Sequence, residues 1–92
     1  MKYVVMKTSK DIELIFIFDP SIEHKAFAEG LIRAAYEDTQ IFKDEYIHPI
    51  SAGFVRNSIS RNNIADCYGR SESLNLDSRG KADTDLIRTD FL

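Results

Sequence analysis

A single cysteine, Cys67, excludes an internal disulfide, and two prolines and four glycines in ninety-two residues exclude a low-complexity or collagen-like chain. No long hydrophobic run exists: the longest, Leu14 to Phe18, is strand-sized and too short to cross a bilayer. The chain does not open on a basic-then-apolar leader, which together with the lone thiol gives the expectation of a reducing cytoplasm. Positive charge is not in excess either. The net charge is −3, with nine acids against six bases in residues 1–50 and six of each in residues 51–92. A generic nucleic-acid binder is basic, so that class is not expected. Phosphate loops, nucleophile elbows and paired metal ligands are also missing.

What is present suits one globular domain. With 43% hydrophobic and 29% charged residues, the chain can fold without metal or disulfide, burying about two-thirds of the unfolded surface. Tyr3 to Met6 and Ile12 to Phe18 read as an antiparallel strand pair joined by the polar segment Lys7 to Lys10. In the second strand Ile12, Leu14, Phe16 and Phe18 point one way, and Ile15 and Ile17 the other. Apolar residues on both faces imply burial on both, by a second layer or a second subunit, and a homodimer through Ile15 and Ile17 is expected.

Asp19-Pro20-Ser21 predicts a helix start, with Pro20 in the first turn and the helix running from about Ile22 to Asp38. Phe27, Leu31, Ala34 and Ala35 form its apolar face, and Lys25, Glu29, Arg33 and Glu37 a solvated ladder. After a mixed connection from Thr39 to Tyr46, the segments Ile50 to Ile59 and Ile64 to Tyr68 read as a second strand pair turning at Asn62-Asn63. Gly53 inside it signals a bulge or a close backbone approach. A last helix from about Ala82 to Phe91 presents Ala82, Leu86, Ile87 and Phe91 to the sheet. The expected fold is therefore α+β: an antiparallel sheet of about four strands built as two β-β-α units, with the short helix packed beside the long one.

The bases of the second half are arginines except Lys81, and arginine's planar fork suits directional recognition. The polar stretch from Ile50 to Arg79 mixes these arginines with serines and glycines, which makes Arg56, Arg70, Ser71, Ser73 and Arg79 the candidate binding residues. Serine hydroxyls, turn N–H groups and arginine forks can hold a phosphate or carboxylate. Alternatively, Arg70 pairs with Glu72 or Asp77 and the serines cap turns. Tyr68, one of four tyrosines, joins Ile15 and Ile17 as a candidate interface residue.

Ser51-Ala52-Gly53-Phe54-Val55, the run Cys67 to Arg79 (CYGRSESLNLDSR) and Asp85-Leu86-Ile87 together resemble small uncharacterised bacterial proteins of prophages and mobile elements. The resemblance covers roughly the C-terminal half and implies an accessory protein that modulates a host protein, for example a defence component, by binding. It implies no catalytic residue and no cofactor.

Catalysis has thinner support. Cys67 with His24 or His48 would make a thiol–imidazole pair, but a cysteine in a strand is usually a small buried hydrophobe. Asp66, Glu72 and Asp77 have no spacing that sets two carboxylates at a working separation, and two histidines with one cysteine lack metal-ligand spacing. The chain reads as a non-enzymatic binding protein acting on a host protein. A ligand-binding protein for a phosphorylated or nucleotide-like anion is the alternative, and a small thiol enzyme or hydrolase a third.

Overall fold

The computed structural model describes residues 1–37, 46–58 and 64–91. Strands β1 (Lys2–Thr8) and β2 (Glu13–Phe18) form a hairpin, helix α1 (His24–Glu37) follows, and β3 (Ile47–Ser58) and β4 (Ile64–Tyr68) form a second hairpin. Two short strands, β5 (Arg70–Ser71) and β6 (Leu76–Asp77), precede helix α2 (Lys81–Phe91). The main sheet has the order β2-β1-β3-β4, antiparallel throughout, and β5-β6 forms a separate two-stranded sheet. Since β1 is antiparallel to both β2 and β3, those two run the same way, and α1 carries the chain between them across one face. The expected α+β fold with two β-β-α units is the one observed, with the small β5-β6 hairpin as an addition.

The helices do not lie side by side. Val4, Met6, Phe18 and Ala52 pack with Ala28 and Ala35 of α1, whereas Tyr3, Val5, Ile15, Val55 and Cys67 pack with Ile87 of α2. Strand alternation sends β1's neighbouring residues to opposite faces, so each helix takes one face. Tyr3, Val4, Val5 and Met6 are all fully buried as a result. Each such side chain contributes about 1.5–3 kcal/mol of burial free energy. The same arrangement corrects the expected face-on dimer. Ile15 is buried in the α2 cluster and Ile17 packs against it, so the second face of β2 is covered from within the chain.

Other local expectations shift for identifiable reasons. Pro20 lies in a turn ahead of α1, where Asp19 Oδ1 accepts the Ser21 N–H at 2.8 Å and the Asp19 carbonyl accepts the Ile22 N–H. Helical bonding begins when the Glu23 carbonyl accepts the Phe27 N–H. The buried stripe of α1 is His24, Ala28 and Ala35, flanked by Phe27, Leu31 and Ile32, while Ala34 is exposed and so is the Lys25-Glu29-Arg33-Glu37 ladder. Among the described side chains of α2, Asp83, Thr84 and Ile87 are buried, and Ala82 faces solvent. The side chain of Phe91, the turn at Asn62-Asn63 and most of the Thr39 to Tyr46 connection lie outside the described residues.

Gly53 is a close approach. A Cβ there would sit 2.4 Å from the Tyr68 carbonyl oxygen and 3.3 Å from the Ser78 Cβ. Pro49 falls at a register shift between β1 and β3, on a part of β3 that β4 does not reach, so its missing N–H leaves no ladder bond unmade.

Candidate functional site

The run from Arg70 to Arg79 closes on itself. Gly69, at φ 85°, turns the chain out of β4, and the turn Glu72 to Asn75 ends on Asn75 in the left-handed region at φ 55°. Ser71 is buried and its Oγ accepts the Leu74 N–H at 3.2 Å. Arg70 donates through Nη1 to Asp77 at 2.9 Å and through Nη2 to Asn75, and its Nε faces Glu72 at 3.3 Å. All three edges of that guanidinium are engaged within one hairpin. Ser73 Oγ accepts the Lys25 N–H at 3.1 Å, satisfying an orphan donor in the first turn of α1 from forty-eight residues away.

Arg79 is engaged more deeply. Its Nη1 and Nη2 fork onto Glu13 at 3.2 and 2.9 Å, and its Nε and backbone N–H donate to the two oxygens of Asp83 at 2.8 and 2.9 Å. Hydrogen bonding to Arg79 holds the Glu13 carboxyl below its ordinary range. Asp83 is wholly buried at the third position of α2, and its Oδ2 also lies 2.5 Å from the Tyr3 hydroxyl. That hydroxyl has one proton, and it goes to the carboxylate. Ser78 Oγ, 2.6 Å away, completes the tyrosine oxygen's bonding while accepting the Gly80 N–H. Burial, then the bond to Asp83, raises the Tyr3 phenol's pKa far above its ordinary value. The network pins the first turn of α2 to central β1 and outer β2.

Cys67 and the histidines are not assembled as a catalytic pair. Cys67 faces α2, and His24 sits across the sheet among the α1 contacts. His48 lies seven residues along β3 from Val55, the partner of Cys67, or roughly 20 Å away at about 3.3 Å per strand residue. Burial pushes the thiol up to about 11. Cys67 does border an open cavity of about 280 Å³, shared with Asp66, Lys81, Thr84 and Arg88. Among the described residues, no group of three His, Cys, Asp or Glu side chains is arranged to hold a metal ion, and no helix is long and apolar enough to cross a membrane.

One candidate arginine remains turned outward. The Arg56 guanidinium lies 4.9 Å from the centroid of the Tyr68 ring, a cation–π contact, and Tyr68 is 44% exposed. Antiparallel register sets Phe54 opposite Tyr68, with the ring centroids 6.0 Å apart. A string of rings supports this pair from behind. Phe54 meets the edge of His24 at 5.7 Å, His24 meets Phe18 at 5.5 Å, and Phe18 stacks on Phe27 at 4.0 Å. The Gly53 carbonyl accepts only, so His24 donates from Nε2 at 2.8 Å, which fixes its tautomer. Burial lowers the imidazole's proton affinity and keeps it neutral.

Beside the pair opens a second cavity of about 280 Å³, bordered by Lys2, Glu23, His24, Phe54, Arg70 and Ser73. The structure thus gathers Arg56, Arg70, Ser73 and Tyr68 on the α1 side of the β3-β4 hairpin and sends Arg79 to the α2 side. Sequence reading missed Phe54, His24 and Lys2 as neighbours of this surface. The available signal was the alternation Phe54, Arg56 on one strand face, which needed the β3-β4 register to meet Tyr68. No family model, no curated protein and no solved structure matches this chain.

Proposed function

We propose that this chain is a small non-enzymatic binding protein that engages a protein partner through the Arg56-Tyr68-Phe54 surface. The observation that carries the reading is the outward Tyr68 ring with Arg56 over it, seated on the partly buried Phe54 and, behind it, the buried His24 and Phe18. Tyrosine and arginine dominate interface energetics, and a rigidly supported ring loses little entropy on binding. Arg70 and Arg79, by contrast, are already engaged within the chain. The resemblance of the C-terminal half to mobile-element proteins makes a host protein the partner in this reading, in a cytoplasmic setting that suits the single protonated thiol. The test is capture of partners from host lysate by wild type and by Tyr68→Ala and Arg56→Ala. Both variants should stay folded by circular dichroism and lose the partner. Undiminished capture by both would remove this surface from the proposal.

A second reading, capture of a phosphorylated or nucleotide-like anion, has one supporting observation, the cavity beside Lys2, His24 and Ser73. It ranks lower because Glu23 and Glu72 share that wall and the Arg70 fork is occupied. Salt-sensitive binding of a nucleotide to the purified protein, abolished by Lys2→Ala, would promote it.

A further inference from the structure

We propose that the free edge of β2 pairs with the same edge of a second copy, joining two four-stranded sheets into one of eight strands. This mode uses the backbone edge, since both faces of the sheet are taken by α1 and α2. It is independent of the partner-binding reading, because β2 and the β3-β4 surface lie at opposite edges of the sheet.

Three observations carry it. First, β2 is terminal in the order β2-β1-β3-β4, and no backbone group of Glu13–Phe18 bonds any described residue beyond β1. Such a row of unused N–H and C=O groups is a template for another strand. Second, natural edges are blunted by lysine, proline, a bulge or an inward charge. β2, with the sequence ELIFIF, has none of the first three: its register with β1 runs unbroken through six pairs from Phe18 to Glu13. Its single charge, Glu13, is held by the Arg79 fork at the strand's start. Leu14, Phe16 and Ile17 remain only half-buried in the single chain.

Third, the strand is its own complement. A two-fold axis normal to the sheet keeps each face continuous, so a residue must meet one pointing to the same face. With Phe16 on the axis, Phe16 meets Phe16 and Leu14 meets Phe18 on the α1 face, while Ile15 meets Ile17 on the α2 face. Every apolar residue of β2 then has an apolar partner; at each end of the pairing Glu13 comes opposite Asp19, with its charge already countered by the Arg79 fork. Helix α1 packs mainly on β1 and β3 and meets β2 through Phe27 against Phe16 and Phe18, a contact with the face of β2 rather than with its backbone edge. Cross-strand aromatic and β-branched pairs of this kind are the stabilising unit of antiparallel sheets.

The test measures the mass of the full chain by sedimentation equilibrium from micromolar to near-millimolar concentration, and maps the contact by crosslinking. Wild type should reach twice the chain mass, and Leu14→Lys should shift the equilibrium at least tenfold toward monomer. In a Cys67→Ala background, Phe16→Cys should form a disulfide-linked dimer under mild oxidation and Leu14→Cys should not. A wild-type monomer throughout, or crosslinking through Leu14→Cys instead of Phe16→Cys, overturns the proposal. Should a substituted chain misfold, amide exchange in the wild type decides: β2 amides must slow as concentration rises, and concentration-independent exchange overturns the pairing.

Discussion

The Tyr3 hydroxyl and the Asp83 carboxylate, eighty residues apart, meet at 2.5 Å in the interior between β1 and α2. This contact ties α2 to the first β-β-α unit, which the β1-β3 ladder already joins to the second. Removing the tyrosine's oxygen by Tyr3→Phe leaves Asp83 buried with only its Arg79 donors, and the expected cost is about 1–3 kcal/mol. Asp83→Ala removes the acceptor of the Arg79 Nε and backbone N–H and of the Tyr3 hydroxyl, three bonds rather than one, and is expected to cost more, about 3–5 kcal/mol. Urea unfolding of the two single variants and the double variant measures the coupling. Strict additivity would mean that the bond contributes nothing.

Arg79 and Arg70 are expected to answer differently to lysine. Arg79→Lys keeps the charge but loses both the fork onto Glu13 and the Nε bond to Asp83, so stability should drop by about 1–2 kcal/mol, the partial exposure of the pair limiting the loss. Arg70→Lys, on an exposed hairpin, should leave the urea midpoint nearly unchanged. The reverse ranking would contradict the placement of Arg79 as the structural arginine.

His24 should give the stability curve a step on the acid side of neutrality. Burial lowers its pKa below the ordinary 6.5, so the unfolded chain binds a proton at higher pH than the folded one. The stabilising contribution is complete above the unfolded value and is lost as pH falls through the folded one. Urea midpoints followed downward from pH 7 should decline in wild type and stay flatter in His24→Gln. Parallel curves would assign the decline to other groups.

Cys67 should be slow to react. With its thiol buried and pushed up to about 11, labelling by a thiol reagent near neutral pH should be much slower in native protein than in urea. Cys67→Ala should cost about 1 kcal/mol, and Cys67→Ser more, because a hydroxyl would replace the sulfur in an apolar cluster. Rapid native labelling would place the thiol at the surface.

The two exceptional glycines separate two causes of strain. Gly53→Ala drives a methyl into the Tyr68 carbonyl and should cost at least the 1–3 kcal/mol typical of overpacking. Gly80 has open space around it and a φ of 60°, so Gly80→Ala should cost only the backbone penalty of about 1 kcal/mol. Equal losses in thermal unfolding would show that contact and dihedral are not separable here.

The sequence by itself determined the elements. The alternation in β2, the four-residue spacing in α1 and the turn residues at Asp19-Pro20 and Gly69 are local properties, written in neighbours a few residues apart, and they were enough for two β-β-α units. It also determined that both faces of β2 must be covered. Only the tertiary structure decided what covers them: α2 took the face assigned to a second subunit, because β1 and β2 present Tyr3, Val5 and Ile15 together. The site was legible as residue types and illegible as partners. Arg56, Arg70 and Arg79 look alike along the chain, yet Glu13 lies sixty-six residues from the fork it neutralises, and Tyr68 meets Arg56 only through the β3-β4 register. Charge and shape on a residue are local; whether its hydrogen bonds are already spent is a property of the packed whole.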